Sequence, residues 1–198
     1  MLNRILNRRK FLASSGAVIV ASAIPVTAVA GAIPVTPTVV SVFDTVVLIS
    51  PDKTEHYKIV NGFHVLHRDN DLPAVVFHDG SEKWYKDGQL HRDNDLPALT
   101  YPDGTQKWFK NGKAHRDNDL PALVHKDGTK AWYQYDKLHR DSNEPALIYA
   151  DGSQFWFKDG QSHRDNNLPA VICKDGRKEW YQNGILRKTI MSNLTTPI

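Results

Sequence analysis

Between residues 67 and 186 the apolar and polar positions repeat every 24 residues, five times, with no residue gained or lost. The first copy, residues 67–90, reads HRDNDLPAVVFHDGSEKWYKDGQL. Short runs of β-branched and aromatic residues, such as Ala74-Val75-Val76-Phe77 and Trp84-Tyr85, alternate with glycine-containing pairs. The runs read as strands and the pairs as hairpin turns, because glycine accepts positive φ at no steric cost. No window keeps a 3.6-residue apolar period, the mark of an amphipathic helix.

Each copy carries two turn signals. The first is Asp79-Gly80, Asp103-Gly104, Asp127-Gly128, Asp151-Gly152 and Asp175-Gly176. The second is Asp87-Gly88, Asn111-Gly112, Asp159-Gly160 and Asn183-Gly184, with Tyr135-Asp136 in the third copy. There the turn is expected to form through Asp in a left-handed conformation. If both turns are two-residue loops, counting outward sets Val75 opposite Trp84, Tyr85 opposite Leu90, and Trp84 opposite His91. Each copy then forms a meander of strand, turn, strand, turn and short strand. A loop, Asp-Asn-Asp-Leu-Pro in the first copy, leads into the next. The Pro-Ala step (Pro73, Pro97, Pro121, Pro145, Pro169) suits a strand's first residue, where no N–H is needed.

One unit is too small to bury its own apolar surface, so neighbours must stack. The predicted fold is all-β: an elongated repeat of antiparallel β-hairpins, as a single twisted sheet or a solenoid-like stack. Residues 44–66 read as a degenerate capping copy, with Val46-Val47-Leu48-Ile49 as a strand, Asp52-Lys53 as a turn and Asn61-Gly62 as a second turn. Residues 67–186 are the five copies, and 187–198 a C-terminal cap or tail. Residues 31–43, with Pro34 and Pro37, read as a linker.

Residues 1–30 read as an export signal. Arg8-Arg9-Lys10-Phe11-Leu12 resembles the twin-arginine consensus, a mostly apolar stretch follows, and Ala28-Val29-Ala30 fits a cleavage site. An uncleaved membrane anchor is the other reading of this stretch. The signal also explains the net charge of +3. Arg4, Arg8, Arg9 and Lys10 precede every acidic residue, so beyond residue 30 the chain has 21 basic against 22 acidic residues, a net −1. That near-neutral mixture argues against a nucleic-acid footprint, and against a membrane-binding face once the signal is removed. The single cysteine, Cys173, has no intramolecular partner and reads as a packing residue.

The five tryptophans, Trp84, Trp108, Trp132, Trp156 and Trp180, keep the same period. A buried indole removes about 150–250 Å² from water, so this ladder is expected to be the main packed core. The other reading is an exposed strip on which a ligand stacks.

His67, His91, His115, His139 and His163 each open a His-Arg-Asp triplet. The triplet matches part of a kinase catalytic loop, but no phosphate-binding glycine loop accompanies it. As a metal site it lacks a nearby His or Cys partner, and as a catalytic base it lacks a nucleophile. The Asp-Asn-Asp run lacks the further oxygen donors and glycine of a helix-loop-helix calcium site. The expected roles are structural. Each imidazole packs on the Trp of the preceding hairpin, its N–H bonding a loop carbonyl. Asp69, Asp93, Asp117, Asp141 and Asp165 close their loops through an Asx-turn or the adjacent Arg. No catalytic residue, cofactor or metal is expected.

Trp180-Tyr181-Gln182-Asn183-Gly184-Ile185-Leu186 and Lys86-Asp87-Gly88-Gln89-Leu90-His91-Arg92 resemble MORN-type repeats, in the YwqK-like variant form. The likeness spans about residues 45–188. It implies a twisted β-hairpin sheet serving as a scaffold or binding surface, without an activity of its own. A fainter likeness, to choline-binding cell-wall repeats, rests on the paired aromatics and glycine turns. The expected function is an exported, non-enzymatic interaction or scaffold module with a protein partner, in the periplasm or outside the cell. The alternative is a glycan or cell-wall binding module that uses the aromatic ladder and loop Asp and His residues.

Overall fold

A computed structural model describes residues 19–21, 38–42 and 44–192. Every described strand pairing is antiparallel, and the described residues contain no helix. Accordingly, no helix among them is long and apolar enough to cross a membrane. Sixteen strands form one sheet that follows chain order, apart from four hairpins that step out of it. Arg8, Arg9 and the cleavage pattern lie outside the described residues. Of the stretch read as a signal, only Ile19–Ala21 is described, as a strand paired with Thr38–Val42.

Each of copies one to four gives two short strands to the main sheet, such as Val75–Phe77 and Glu82–Lys83. The chain then leaves the sheet at Trp84 and forms the small hairpin Tyr85–Lys86 with Gln89–Leu90. Three more hairpins follow at Phe109–Ala114, Tyr133–Leu138 and Phe157–Ser162. Trp84 is the pivot. Its N–H donates to Ala98 O of the next copy at 2.8 Å, and its carbonyl accepts from His91 N–H at 3.1 Å. The small hairpins stack in a row: Gly88 N–H donates to Leu66 O, Gly112 to Leu90 O, Asp136 to Ala114 O, Gly160 to Leu138 O and Gly184 to Ser162 O, each at 2.9 Å.

The two turns of a copy differ. The second is a two-residue turn as expected, with both residues left-handed: Asp87 at φ 54° and Gly88 at 78°. Its register sets Tyr85 opposite Leu90. Tyr135 and Asp136 make the same turn at φ 49° and 70°. The first turn corrects the counted register. Phe77 N–H donates to Ser81 O and Gly80 N–H to Phe77 O, so the loop holds three residues, with only Gly80 left-handed at φ 86°. This is a type I turn closed by a glycine bulge. Its cause is the Asp79 side chain, which accepts Ser81 N–H at 2.7 Å and holds its own backbone right-handed. Val75 therefore pairs with Lys83 rather than Trp84, a shift of one residue that reverses the facing of the second strand.

The ends differ from the copies. Thr45–Ile49, Lys53–Val60 and Phe63–Leu66 form a leading unit with longer strands, and its first turn sits at Pro51-Asp52, one residue earlier than expected. Thr38–Val42, inside the stretch read as a linker, is a strand against Thr45–Ile49. Its Thr-Val-Val-Ser-Val sequence is strongly β-forming, and both prolines precede it. At the other end Lys178–Gln182 and Ile185–Ile190 stay in the main sheet as one long, bulged hairpin. The core is a thin column of Ala74, Ala98, Ala122, Ala146 and Ala170, four tryptophans, and Val75, Leu99 and Val171.

Candidate functional site

The residues of interest meet at the joints between copies. Trp84, Trp108, Trp132 and Trp156 are buried, while Trp180 at the end of the row is half-buried. Each indole Nε1–H donates to a loop carbonyl of its own copy: Asp71, Asp95, Asp119, Asn143 and Asn167, at 2.8–3.1 Å. The loop presents that carbonyl because its two central residues are both left-handed, Asn70 at φ 60° and Asp71 at 54°. These polar side chains adopt that conformation more readily than most others.

The arginine of the following copy covers each of the first four indoles. Arg92 lies 3.9 Å from the Trp84 ring centroid, with Arg116 over Trp108, Arg140 over Trp132 and Arg164 over Trp156 at 3.7–4.0 Å. The same guanidinium grips the preceding loop. Arg92 Nε and Nη2 donate to the two Asp71 carboxylate oxygens at 2.7 and 2.8 Å. Arg116 does the same to Asp95, and Arg140 to Asp119. Each arginine holds its aspartate below the usual carboxylate range. A third bond runs from Arg92 Nη1 to Pro97 O within its own copy.

Magnitudes rank these contacts. Burying an indole is worth about 4–6 kcal/mol at ~25 cal/mol/Å². The cation–π contact adds about 0.5–2 kcal/mol. The ion pair adds about 1 kcal/mol or less, since its aspartate is 42–58% exposed. The tryptophan holds the joint and the arginine seals it. With four indoles sealed, a ligand has no ring face to stack on there. Trp180 has Lys188 over it instead, at 4.9 Å.

The histidines take a different place from the one expected. Arginine, rather than histidine, lies over the indole. Nε2 of His67, His91, His115, His139 and His163 meets the carboxylate two residues on, at 2.9–3.1 Å. So Asp69, Asp93, Asp117, Asp141 and Asp165 pair with their own histidine, rather than with a backbone group or the adjacent arginine. His91 and then Lys86 pull Asp93 down, and Lys110 and then His115 pull Asp117 down. His163 does the same to Asp165. In four copies Nδ1 accepts the backbone N–H of the next hairpin turn: Asp87 to His67, Asn111 to His91, Asp159 to His139 and Asn183 to His163, at 3.0–3.2 Å. Those two partners suit a ring that donates from Nε2 and accepts at Nδ1.

Joint three breaks this rule. His115 Nδ1 is buried with no hydrogen-bond partner. Its ring stacks on Tyr135, centroids 4.3 Å apart and planes 8° apart, while Tyr135 is 52% exposed. Asp136 instead takes Ala114 N–H on its side chain at 2.7 Å. A left-handed non-glycine backbone costs about 1–3 kcal/mol and an unmet buried acceptor a similar amount. Stacking returns only about 0.5–1.5 kcal/mol. The Asp136 side-chain bond to Ala114 N–H, which the glycine of the other copies cannot make, offsets part of that cost.

A further row runs along the opposite edge. Thr105, Thr129 and Ser153 accept backbone N–H groups from Lys126, Ala150 and Lys174 of the next copy, at 3.0–3.2 Å. Ser81 Oγ has no partner, because the equivalent position is Pro102, which has no N–H. Cys173 lies in the main sheet's aromatic column and accepts from Arg177 Nη2 at 3.1 Å.

Among the described residues, no group of three or more His, Cys, Asp or Glu is placed to hold a metal ion. No protein-family model, curated protein or solved structure matches this chain. Sequence reasoning missed the arginines and Asp71, Asp95 and Asp119. A signal was present: Arg recurs in all five triplets, and the preceding loop ends in Asp or Asn at a fixed distance.

Proposed function

We propose that the chain is an exported, non-enzymatic interaction or scaffold module with a protein partner, built from MORN-type repeats. The observation that supports this most is how the triplet is used. Arg and Trp hold one copy to the next, while His and Asp of the triplet bond each other within a copy. None of the five triplets is left with the open nucleophile or carboxylate pair that a reaction needs. What each copy displays instead is a regular surface: a hairpin tip on one side and an exposed loop, such as Asp69 to Leu72, on the other. The export half of the reading rests on Arg8-Arg9 and the apolar run after them. The sealing of Trp84, Trp108, Trp132 and Trp156 weighs against a glycan that stacks along the ladder.

The test is affinity purification of the tagged chain from cross-linked envelope extract, with Trp108→Ala as the misassembled control. A protein recovered with the parent chain, lost with W108A, and rebinding when purified supports the reading. Retention on peptidoglycan alone would overturn it in favour of the glycan module. Arg8→Lys with Arg9→Lys should keep the chain in the cytosol, and unchanged export would overturn that half.

A further inference from the structure

We infer that mild acid opens the row of hairpin tips at two of its five joints, those tipped by Asn111 and Asn183, and leaves the other three closed. The inference is independent of export and of any envelope partner.

Two bonds tie each of these tips to the hairpin before it. Gly112 N–H donates to Leu90 O at 2.9 Å, and Asn111 N–H to His91 Nδ1 at 3.1 Å. Gly184 N–H likewise donates to Ser162 O at 2.9 Å, and Asn183 N–H to His163 Nδ1 at 3.2 Å. The histidine bond needs a lone pair on Nδ1. A protonated imidazole has none, and its new N–H points at the N–H of the tip. Donor then faces donor. The five rings are only 7–14% exposed, so little water reaches the gap to accept from either. The tip has to part from the ring.

The first residue of each tip decides whether another bond replaces the lost one. Asp87 Oδ1 lies 3.4 Å from His67 Nδ1, and Asp159 Oδ1 lies 3.6 Å from His139 Nδ1. There the new N–H gains a carboxylate of the same tip residue, a charge-assisted bond, and the tip stays held. Asn111 and Asn183 offer at most a neutral carbonyl. Joint three stands outside the device. Asp136 N–H on Ala114 O and Ala114 N–H on Asp136 Oδ1 tie it, and His115 Nδ1 takes no part.

The remaining charges do not alter this division. Nε2 of every ring meets its own aspartate, Asp69, Asp93, Asp117, Asp141 or Asp165, so that charge is common to all five. Lys86, Lys110 and Lys158 pair with those aspartates in three copies, one of each tip type. Lys58 shares Asp87 Oδ1 with His67, which makes the fourth tip the cleaner of the two aspartate cases. Acid therefore divides the row into three blocks: the first tip on the leading unit, tips two to four together, and the fifth tip with the C-terminal hairpin.

The test is nuclear magnetic resonance on the full chain from about pH 7.5 to 5, a range in which ordinary carboxylates stay ionised. Ring nitrogen shifts report protonation, and amide hydrogen exchange, corrected for its intrinsic pH dependence, reports the tips. As the rings take up protons, protection of the Asn111 and Asn183 amides should fall at least about tenfold, and that of Asp87 and Asp159 less than about threefold. Asn111→Asp should make the second tip resistant to acid, and Asp159→Asn should make the fourth sensitive. Neither should change protection at pH 7.5, because Asp and Asn serve the same turn at φ 51° and 52°. The inference is overturned if the rings stay neutral down to pH 5, if Asn111 and Asn183 stay protected once their histidines are protonated, or if the two substitutions fail to swap the response.

Discussion

The leading unit and the copies behind it solve one problem by different means. Lys53–Val60 pairs over eight residues with neighbours on both sides, whereas the strands of copies two to four are only two residues long. At the place of the pivot tryptophan the leading unit has His56: its N–H donates to Ala74 O and its carbonyl accepts from His67 N–H, as in Trp84. Backbone ladders hold the long strands. Two-residue strands supply too few ladder bonds, and the side-chain joint of Trp, Arg, Asp and His makes up the deficit. The lesson is that strand length and joint chemistry trade against each other along one sheet.

The sharpest way to break that comparison is to remove the pivots. Trp108→Ala should cost about 3–5 kcal/mol in urea unfolding, by loss of a buried indole and the seat of Arg116. His56→Ala should cost about 1 kcal/mol. Equal costs would mean that the long strands contribute no compensation.

The clamp comes next. Arg116→Met keeps an apolar stem over Trp108 but loses the bidentate bond to Asp95, for about 1–2 kcal/mol. Arg164→Met should cost about half as much, because Asn143 offers Arg164 a single bond of 3.2 Å. Asn143→Asp should then stabilise the chain by roughly 0.5 kcal/mol, and a loss of stability would refute the reading of that joint.

Acidification separates the two regions. Asp71, Asp95 and Asp119 are held low by their arginines, and Asp127 lies at about 2 through the Thr129 N–H. A lowered carboxylate stabilises above its ordinary value, so this contribution falls as the pH drops from about 4 toward 2. His56 is lowered by burial and by Arg68. The unfolded chain therefore takes that proton first, and the loss at His56 begins below about pH 6.5. Hydrogen exchange at Phe63–Leu66 should rise in His56-dependent fashion on that step, and a response unchanged in His56→Phe would contradict it.

The smallest effect is at Pro102. Pro102→Ala supplies the N–H that Ser81 Oγ lacks, but also frees the unfolded chain, so the net change should stay within a few tenths of a kcal/mol. The proton signal of that new amide would show the bond.

Much of this was legible in the sequence, for a local reason. Asp87-Gly88 and Trp84 opposite His91 follow from turn chemistry and counting, and both are present. Asp79-Gly80 misled because the same dipeptide serves two turn types, and the deciding group is Ser81 N–H, which captures the Asp79 side chain. The reach of Arg92 back to Asp71 was hidden because the partners lie 21 residues apart, in different copies. The change from Asp119 to Asn143 weakens a specific bond to the next copy.

The arginine clamp reaches back one copy and no further. Excision of 24 residues within 67–186 therefore joins positions equivalent to those already in contact, and duplication of 24 inserts a copy that presents the same Arg and Trp positions on both sides. Unequal recombination within the gene can then lengthen or shorten such a chain while keeping the same kind of joint at the junction. The number of copies then becomes a quantity that selection can set, as one sets the span of a ruler.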